Sequence, residues 1–508
     1  MVSHSGPSRE RHRVRGTVTL GAGSIGDAVS QSGIEKAYPQ MTQMYADGGR
    51  FHPRIVGLEY RRRMENRWTL LSAFICVICG FVPSVRTRRV NVRSLPARIC
   101  RDLIHPQMDA GDSTPRRADA ASRHAAVIIS LMPELPVYMD HHATTPVDPR
   151  VVEAMLPFFT ENFGNPASLT HEHGRRASNA VEDARFGIAR FFGVQPNEVY
   201  FTAGATESNN IALNLLLPGD HFITSAMEHK SILVPAQRLE RNGVEVTMLH
   251  PDSEGFIDPE ELRTALKPNT KLVSVEAANG EIGTLQQVGV LGAICRERGV
   301  LFHSDVTQAA GKVPLDMMNV DLAAFSAHKL YGPKGIGGMI VRRGIRIEPV
   351  MLGGGQEKRV RSGTVNVPGV VGMVKAFRIR GEEMIAECEW LTALRNELWD
   401  RVVAEVPGAF VNGPRERRLP GNLNVSFDRV EADSVMMALR HFSLSSGSAC
   451  SSGDRSASPV LTAIGVPEAL AYGSIRFGLG KTNTKEHVAL LVDDLKRNIS
   501  RLRETSAA

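Results

Sequence analysis

Four short stretches place reactive side chains where a strand would end and a turn begin. The first is Thr202-Ala203-Gly204-Ala205-Thr206-Glu207-Ser208, a run of small residues leading into a helix. Free backbone N–H groups at Ala205, the helix dipole and the Thr206 hydroxyl suit a phosphate there, although an N-capped helix would use the same residues. The second, Glu228-His229-Lys230, offers a histidine just past a strand, where a lone histidine also serves structure alone. The third, His303-Ser304-Asp305-Val306-Thr307-Gln308, ends a strand on an aspartate that could face a protonated ring nitrogen or equally cap a helix. The fourth, Ser326-Ala327-His328-Lys329-Leu330-Tyr331-Gly332-Pro333-Lys334-Gly335, sets a lysine between hydroxyl and imidazole donors. Such a lysine is ordinarily solvated, but one buried beside a phosphate site suits Schiff-base chemistry.

A phosphate cradle, an aspartate for a pyridinium nitrogen, a flat histidine and an amine for an aldehyde fit one cofactor, pyridoxal 5′-phosphate. A metal site on His171, His173, His303 and Asp305 would explain neither Lys329 nor the phosphate turn, so no metal is expected.

The elements that must position these groups follow from the hydrophobic pattern. Strands are expected at 199–202, 221–225, 245–249, 271–277, 300–305 and 322–326, with helices at 206–217 and 259–266. Such alternation predicts an α/β fold with a mainly parallel sheet covered by helices, and ligands bind beyond the carboxyl ends of its strands. Composition agrees: 42% hydrophobic and 22% charged residues in a chain of 508 exclude collagen-like, wholly disordered and multi-span membrane classes. Six cysteines exclude a disulfide framework and point to a reducing, cytoplasmic setting.

The first 131 residues read differently. They carry 19 Arg and 1 Lys against 10 acidic residues, a net charge of +10, which leaves −4 on the rest. No helical or strand period persists there. Gly21-Ala22-Gly23-Ser24-Ile25-Gly26 matches a dinucleotide fingerprint but lacks the strand and helix that give it meaning. The apolar run 68–85 is shortened by Pro83 and flanked by arginines on both sides, and Cys76 and Cys79 inside it lack a second ligand pair. There is no firm sign of membrane or nucleic-acid binding.

From about Pro133 onward the chain resembles the cysteine desulfurases, within the class-V aminotransferase group. Val137-Tyr138-Met139-Asp140-His141-His142-Ala143-Thr144-Thr145-Pro146, Gly164-Asn165-Pro166-Ala167-Ser168, the four strand-end motifs, Arg361-Ser362-Gly363-Thr364 and Ser474-Ile475-Arg476-Phe477 carry the likeness. The most specific stretch is Ser446-Gly447-Ser448-Ala449-Cys450-Ser451-Ser452-Gly453. The resemblance implies an aspartate-aminotransferase-like fold for pyridoxal 5′-phosphate. A large cofactor domain would span 150–385, and a smaller α/β domain would combine 133–149 with 386–508. Met132 lies six residues before Tyr138, close to where members of this family commonly begin, so translation from Met132 is one expectation that the resemblance implies.

It also implies roles. Lys329 would carry the cofactor, Asp305 would keep its ring nitrogen protonated, His229 would stack on the ring, and Gln308 would bind its phenolate oxygen. Thr206, Ser326 and His328 would hold the phosphate, and Thr364 would reach the phosphate of the other subunit of a homodimer. Arg476 would bind the carboxylate of L-cysteine. Cys450 would attack the substrate sulfur, leave L-alanine, and carry a persulfide to an iron–sulfur scaffold or a tRNA thiolation enzyme. Cys295 and Cys388 lie in helical patterns and are expected to be structural.

One departure is visible. The family's paired asparagines before Glu-x-Gly become Asn279-Gly280-Glu281-Ile282-Gly283, so one amide that would hold substrate and cofactor is missing. Losing one hydrogen bond to a charged group costs about 1.5–3 kcal/mol, and Asn279 could swing in as a replacement. Two other readings follow: a selenocysteine lyase or other pyridoxal-phosphate lyase, and a catalytically impaired scaffold protein of the same fold. Cys450 argues against the first and the intact Lys329 and Asp305 against the second.

Overall fold

The computed structural model describes residues 136–446 and 457–507. The N-terminal arginine-rich region, its glycine motif and apolar run, and Cys450 with its immediate neighbours lie outside the described residues.

A seven-stranded sheet forms the larger framework. It is built from β2 (Val199–Thr202), β3 (His221–Ser225), β4 (Glu245–Leu249), β5 (Thr270–Ser274), β6 (Leu301–Asp305), β7 (Leu322–Ser326) and β8 (Gly337–Val341). Their order is β2-β8-β7-β6-β5-β3-β4. Neighbours from β7 to β4 run parallel, whereas β8 is antiparallel to both β7 and β2. Strands β3, β7 and β8 are buried along their whole length, as expected for strands covered on both faces.

Strands β3, β4 and β7 fall where the sequence places them. Two elements are shorter than expected. The helix after β2 ends at Leu213 rather than 217, because Pro218 disfavours helical geometry just before it and the Asn214 side chain turns away to donate to the Glu348 carbonyl. Strand β5 ends at Ser274, although Val275 and Ala277 still donate to His303 and Asp305 of β6. Strand β8 was not expected, since Gly337 and Gly338 weaken a strand signal. The glycines are required: a Cβ on Gly337 would lie 2.3 Å from the Phe325 carbonyl oxygen and 2.7 Å from Gly204 Cα.

Helices carry the chain between the strands: α1 (Pro149–Met155), α2 (Glu172–Phe192), α3 (Ala205–Leu213), α4 (Lys230–Arg241), α5 (Pro259–Ala265) and α6 (Val288–Glu297). Then α7 (Val367–Glu405) runs 39 residues. Its first half packs into the core of the seven-stranded sheet through Val370, Met373 and Phe377. Its second half packs through Leu394, Leu398 and Val402 into a separate core. The expected boundary at 385/386 falls inside this one helix. The second core is completed by the antiparallel sheet β12-β10-β9, with β9 (Ala409–Asn412), β10 (Asn422–Phe427) and β12 (Ser474–Gly478), together with α8 (Ala432–Ala438) and α9 (Lys485–Ala507). Strand β1 (Val137–Tyr138) pairs in parallel with β11 (Phe442–Ser443), joining the start of the described chain to its far end.

Candidate active site

The four strand-end motifs converge through the sheet order. Strands β2, β6 and β7 deliver Thr202, Asp305 and Ser326 at their carboxyl ends, and β8 passes between β2 and β7. Gly204 precedes α3 with φ of 153°, and the opening turn of α3 leaves its N–H groups without intrahelical acceptors. The Ala205 N–H donates to Ser326 Oγ at 2.8 Å, which leaves the Ser326 hydroxyl hydrogen for a further acceptor. His328 Nδ1 lies 3.1 Å from Thr144 Oγ1. Burial first, then the nearby Lys329 and Lys334, lower His328 to about 4, so its ring is neutral at neutral pH. Gly204, Ala205, Thr206, Ser326, His328 and Lys334 line a cavity of about 790 Å³. A groove of about 910 Å³ between α2 and α7 is larger but contains none of the expected site residues.

Lys329 is half-buried, and its Nζ donates to the carbonyls of His142 and Ala143 at 2.7 and 2.8 Å. Asp305 is buried; its Oδ1 accepts from the Thr307 N–H and its Oδ2 from Asn209 Nδ2. His229 caps α4 through Nδ1, which accepts the Ser231 N–H.

Gln308 is held by two polar contacts. Its Nε2 donates to the His142 carbonyl at 3.0 Å, and its Oε1 accepts from Lys312 Nζ at 2.9 Å. Lys312 escaped the sequence reading. It is a buried amine held well below the ordinary lysine range by desolvation and then by the charges of Lys329 and Arg476. A Cβ on Gly280 would lie 2.7 Å from Gln308 Nε2. The Gln308 amide therefore fills the space that a side chain at 280 would enter.

Asn279 is not available to replace the missing amide. Its Oδ1 accepts from the N–H groups of Glu281 and Ile282, while its Nδ2 donates to Glu276 Oε1 and the Met227 carbonyl. Swinging toward a substrate would break these bonds at 3% exposure. Three buried carboxyl groups that sequence reasoning missed lie here, Glu276 and Glu281 on this loop and Glu228, which accepts the Glu276 N–H, on the turn after β3. Desolvation pushes Glu228, Glu276 and Glu281 above the usual carboxylate range, and Glu228 and Glu276 repel one another and Asp305. The signal was present in Glu228, Glu276 and Glu281 at strand ends, but a charged side chain reads as solvated until its burial is known.

Arg476 is buried on β12, donating to Asp140 Oδ1 at 2.7 Å and to the Gly280 carbonyl at 3.1 Å, while its Nε has no partner among the described residues. Its backbone N–H donates to the Ser445 carbonyl, so the stretch leading to Cys450 begins beside it. Thr206 and Thr364 are exposed. Cys295 is buried in α6, where desolvation pushes its thiol up to about 12, and Cys388 donates to the Lys312 carbonyl. His303 is tied to Ser274 Oγ and His171 caps α2; no group of metal-ligating side chains occurs among the described residues.

These residues fit pyridoxal 5′-phosphate. The cradle is made of small residues, a hydroxyl and N–H donors; the amine sits beside it; and His142 Nε2 is buried without a partner among the described residues.

Comparison with known proteins gives the same picture. The class-V aminotransferase profile matches residues 137–491. A cysteine desulfurase IscS of Anaeromyxobacter dehalogenans is 48% identical over 382 residues, covering 73% of this chain and 95% of that protein. One from Klebsiella pneumoniae is 47% identical over 384 residues, with the same two coverages, 73% and 95%. Among solved structures, a NifS-like protein superposes with a TM-score of 0.67 at 37% identity, over 72% of this chain and all (100%) of the other. SspA in complex with cysteine gives 0.60 at 34% identity, over 68% and 98%.

Proposed function

Because the chain belongs to the class-V aminotransferases and is a cysteine desulfurase that uses pyridoxal 5′-phosphate and L-cysteine, we propose that Lys329, Asp305, Gln308 and Arg476 form its working centre and that Cys450 accepts the sulfur. The observation that supports this assignment is Lys329 Nζ, held between two carbonyls at the edge of the small-residue cradle.

Lys329 would hold the cofactor covalently through Nζ. Ala205, Thr206, Ser326 and His328 would bind its phosphate, and Asp305, Gln308 and His229 its ring. When bound, the cofactor acts as an electron sink for charge left at the substrate Cα. Arg476 orients the substrate carboxylate, its unpartnered Nε–H adding a donor beside the two it already uses. Released from the cofactor, Lys329 Nζ takes the Cα proton. The Cys450 thiolate then attacks the substrate sulfur: a sulfur–sulfur bond forms, the Cβ–sulfur bond breaks and its electron pair goes to carbon; Cβ gains a proton, and Cα regains the one that Lys329 took. One L-cysteine and one thiol thus become one L-alanine and one persulfide.

We assign the protein to a homodimer. Thr364 is exposed, and Met351 and Leu352 nearby in sequence are 50% and 82% exposed, an apolar surface suited to a second copy. The sulfur acceptor is an iron–sulfur scaffold or a tRNA thiolation enzyme, and the setting is cytoplasmic.

The test is to supply L-cysteine, pyridoxal 5′-phosphate and a reductant and to quantify alanine. More than one equivalent per chain is expected, with the rate from Lys329→Ala lower by about 10²–10⁴-fold. Bound cofactor without alanine would overturn the assignment.

A further inference from the structure

Three elements meet behind the proposed ring site through one buried amide. Asn209 lies on α3, Ser231 opens α4 and Asp305 ends β6; all three are buried, Asn209 completely. Asn209 Nδ2 donates to Asp305 Oδ2 at 2.7 Å and to Ser231 Oγ at 2.8 Å. Ser231 Oγ lies 2.7 Å from His229 Nδ1, and the Ser231 N–H reaches the same nitrogen at 3.1 Å.

The proton positions in this chain are determined in order. A carboxylate only accepts, so the amide must present its NH₂ to Asp305; flipped, its oxygen would face the Asp305 oxygens. The same NH₂ then donates to Ser231 Oγ. With that oxygen accepting, the Ser231 hydroxyl hydrogen is free to point at His229 Nδ1. Nδ1 already accepts a backbone N–H, so it carries no hydrogen of its own. The neutral His229 ring must therefore hold its proton on Nε2. Asn209 Oδ1, buried without a partner among the described residues, is the cost of this orientation.

We propose that Asn209 and Ser231 are positioning residues forming a relay: Asn209, anchored on the Asp305 carboxylate, donates to Ser231 Oγ and so turns the Ser231 hydroxyl hydrogen toward His229 Nδ1, where it joins the Ser231 N–H in holding the ring proton on Nε2. The inference rests on the reading that Asp305 and His229 face the cofactor ring. It adds that these two contacts are set together.

The test uses the full-length protein, ¹⁵N-labelled at histidine, with and without cofactor. His229 signals are identified by their loss in His229→Gln. NMR should show a pyridine-type Nδ1 and a pyrrole-type Nε2 in the wild type. Ser231→Ala removes one of the two donors to Nδ1 and should reduce the tautomer bias roughly fivefold. Asn209→Asp gives the Ser231 hydroxyl a competing acceptor and should do the same. Ser231→Thr keeps the hydroxyl, and Asn209→Leu leaves it free to face Nδ1, so both should retain the bias. A proton on Nδ1 in the wild type, or an unchanged bias in both Ser231→Ala and Asn209→Asp, would overturn the relay. Cofactor absorbance is read separately: failure to bind cofactor with the tautomer pattern intact would sink the site assignment and leave the relay standing.

Discussion

On the strand-end side of the site, each group is held by a main-chain N–H or carbonyl of a neighbouring turn or helix start. Ala205 meets Ser326 through a main-chain N–H, Lys329 is held by two carbonyls, and Asp305 accepts from the Thr307 N–H. The loop from Glu276 to Thr284 is held by side chains filling one another's space. Asn279 ties its own loop, Gln308 occupies the position a side chain at 280 would take, and the buried Glu276 and Glu281 lie below solvent reach, with Glu276 donating its N–H to the buried Glu228. The strand-end side is fixed by secondary structure and carries short motifs. The loop is fixed by packing, and the Gln308 amide already fills the space beside Gly280.

The largest expected effect lies on the strand-end side. Lys329→Ala should lower alanine formation by about 10²–10⁴-fold through loss of proton transfer alone, with the fold intact by circular dichroism. An active Lys329→Ala would undo the distinction between the two regions.

Next comes the ion pair that fastens this side. Arg185 donates to Glu357 from both terminal nitrogens, and Glu357 also accepts the Phe201 N–H of β2, with both side chains almost fully buried. Glu357→Ala leaves the buried Arg185 guanidinium with only the half-exposed Glu182 carboxylate and the Val199 carbonyl, and should cost about 3 kcal/mol in denaturant unfolding.

The two regions should also respond oppositely to pH. His141, His303 and His328 are lowered to about 4, chiefly by burial, from 6.5 in the unfolded chain. Between those values the unfolded chain binds more protons, so their contribution is complete above about pH 6.5 and is lost as pH falls toward 4. Glu228, Glu276 and Glu281 are raised, so the folded chain holds the extra protons and their contribution is lost as pH rises through the folded values. Glu276→Gln keeps the acceptor for Asn279 and removes one of these carboxyls. It should stabilise the protein, with the gain growing as pH rises above the ordinary carboxylate range; a pH-independent gain would contradict the burial of the charge.

The smallest effect tests the packing directly. Gly280→Ala should push the Gln308 amide off Lys312 or His142, costing about 1–2 kcal/mol and raising KM more than it lowers kcat. In a Gln308→Ala background the same change should cost almost nothing. Additive effects would show that Gln308 does not fill that gap.

The contrast also explains what could be read in advance. Residues 221–225, 245–249 and 322–326 were legible as strands because an apolar run bounded by turn residues needs no partner to be recognised. Thr206, Asp305, Ser326 and Lys329 could be singled out as candidates because each ends or closely follows a strand pattern, at 199–202, 300–305 and 322–326. Lys312, Glu276 and the commitment of Asn279 were not, since they depend on burial by residues far along the chain. Strand β8 was hidden by glycines that exist for close approach to Phe325 and Gly204.

The central claim is tested most directly by mass spectrometry of the Cys450 peptide after one turnover with L-cysteine, under conditions that preserve persulfides. The account predicts added mass equal to one sulfur atom on Cys450, absent in Lys329→Ala, with an equal amount of alanine released. Alanine formation with the extra sulfur on Cys295 or Cys388, or on no cysteine at all, would contradict it.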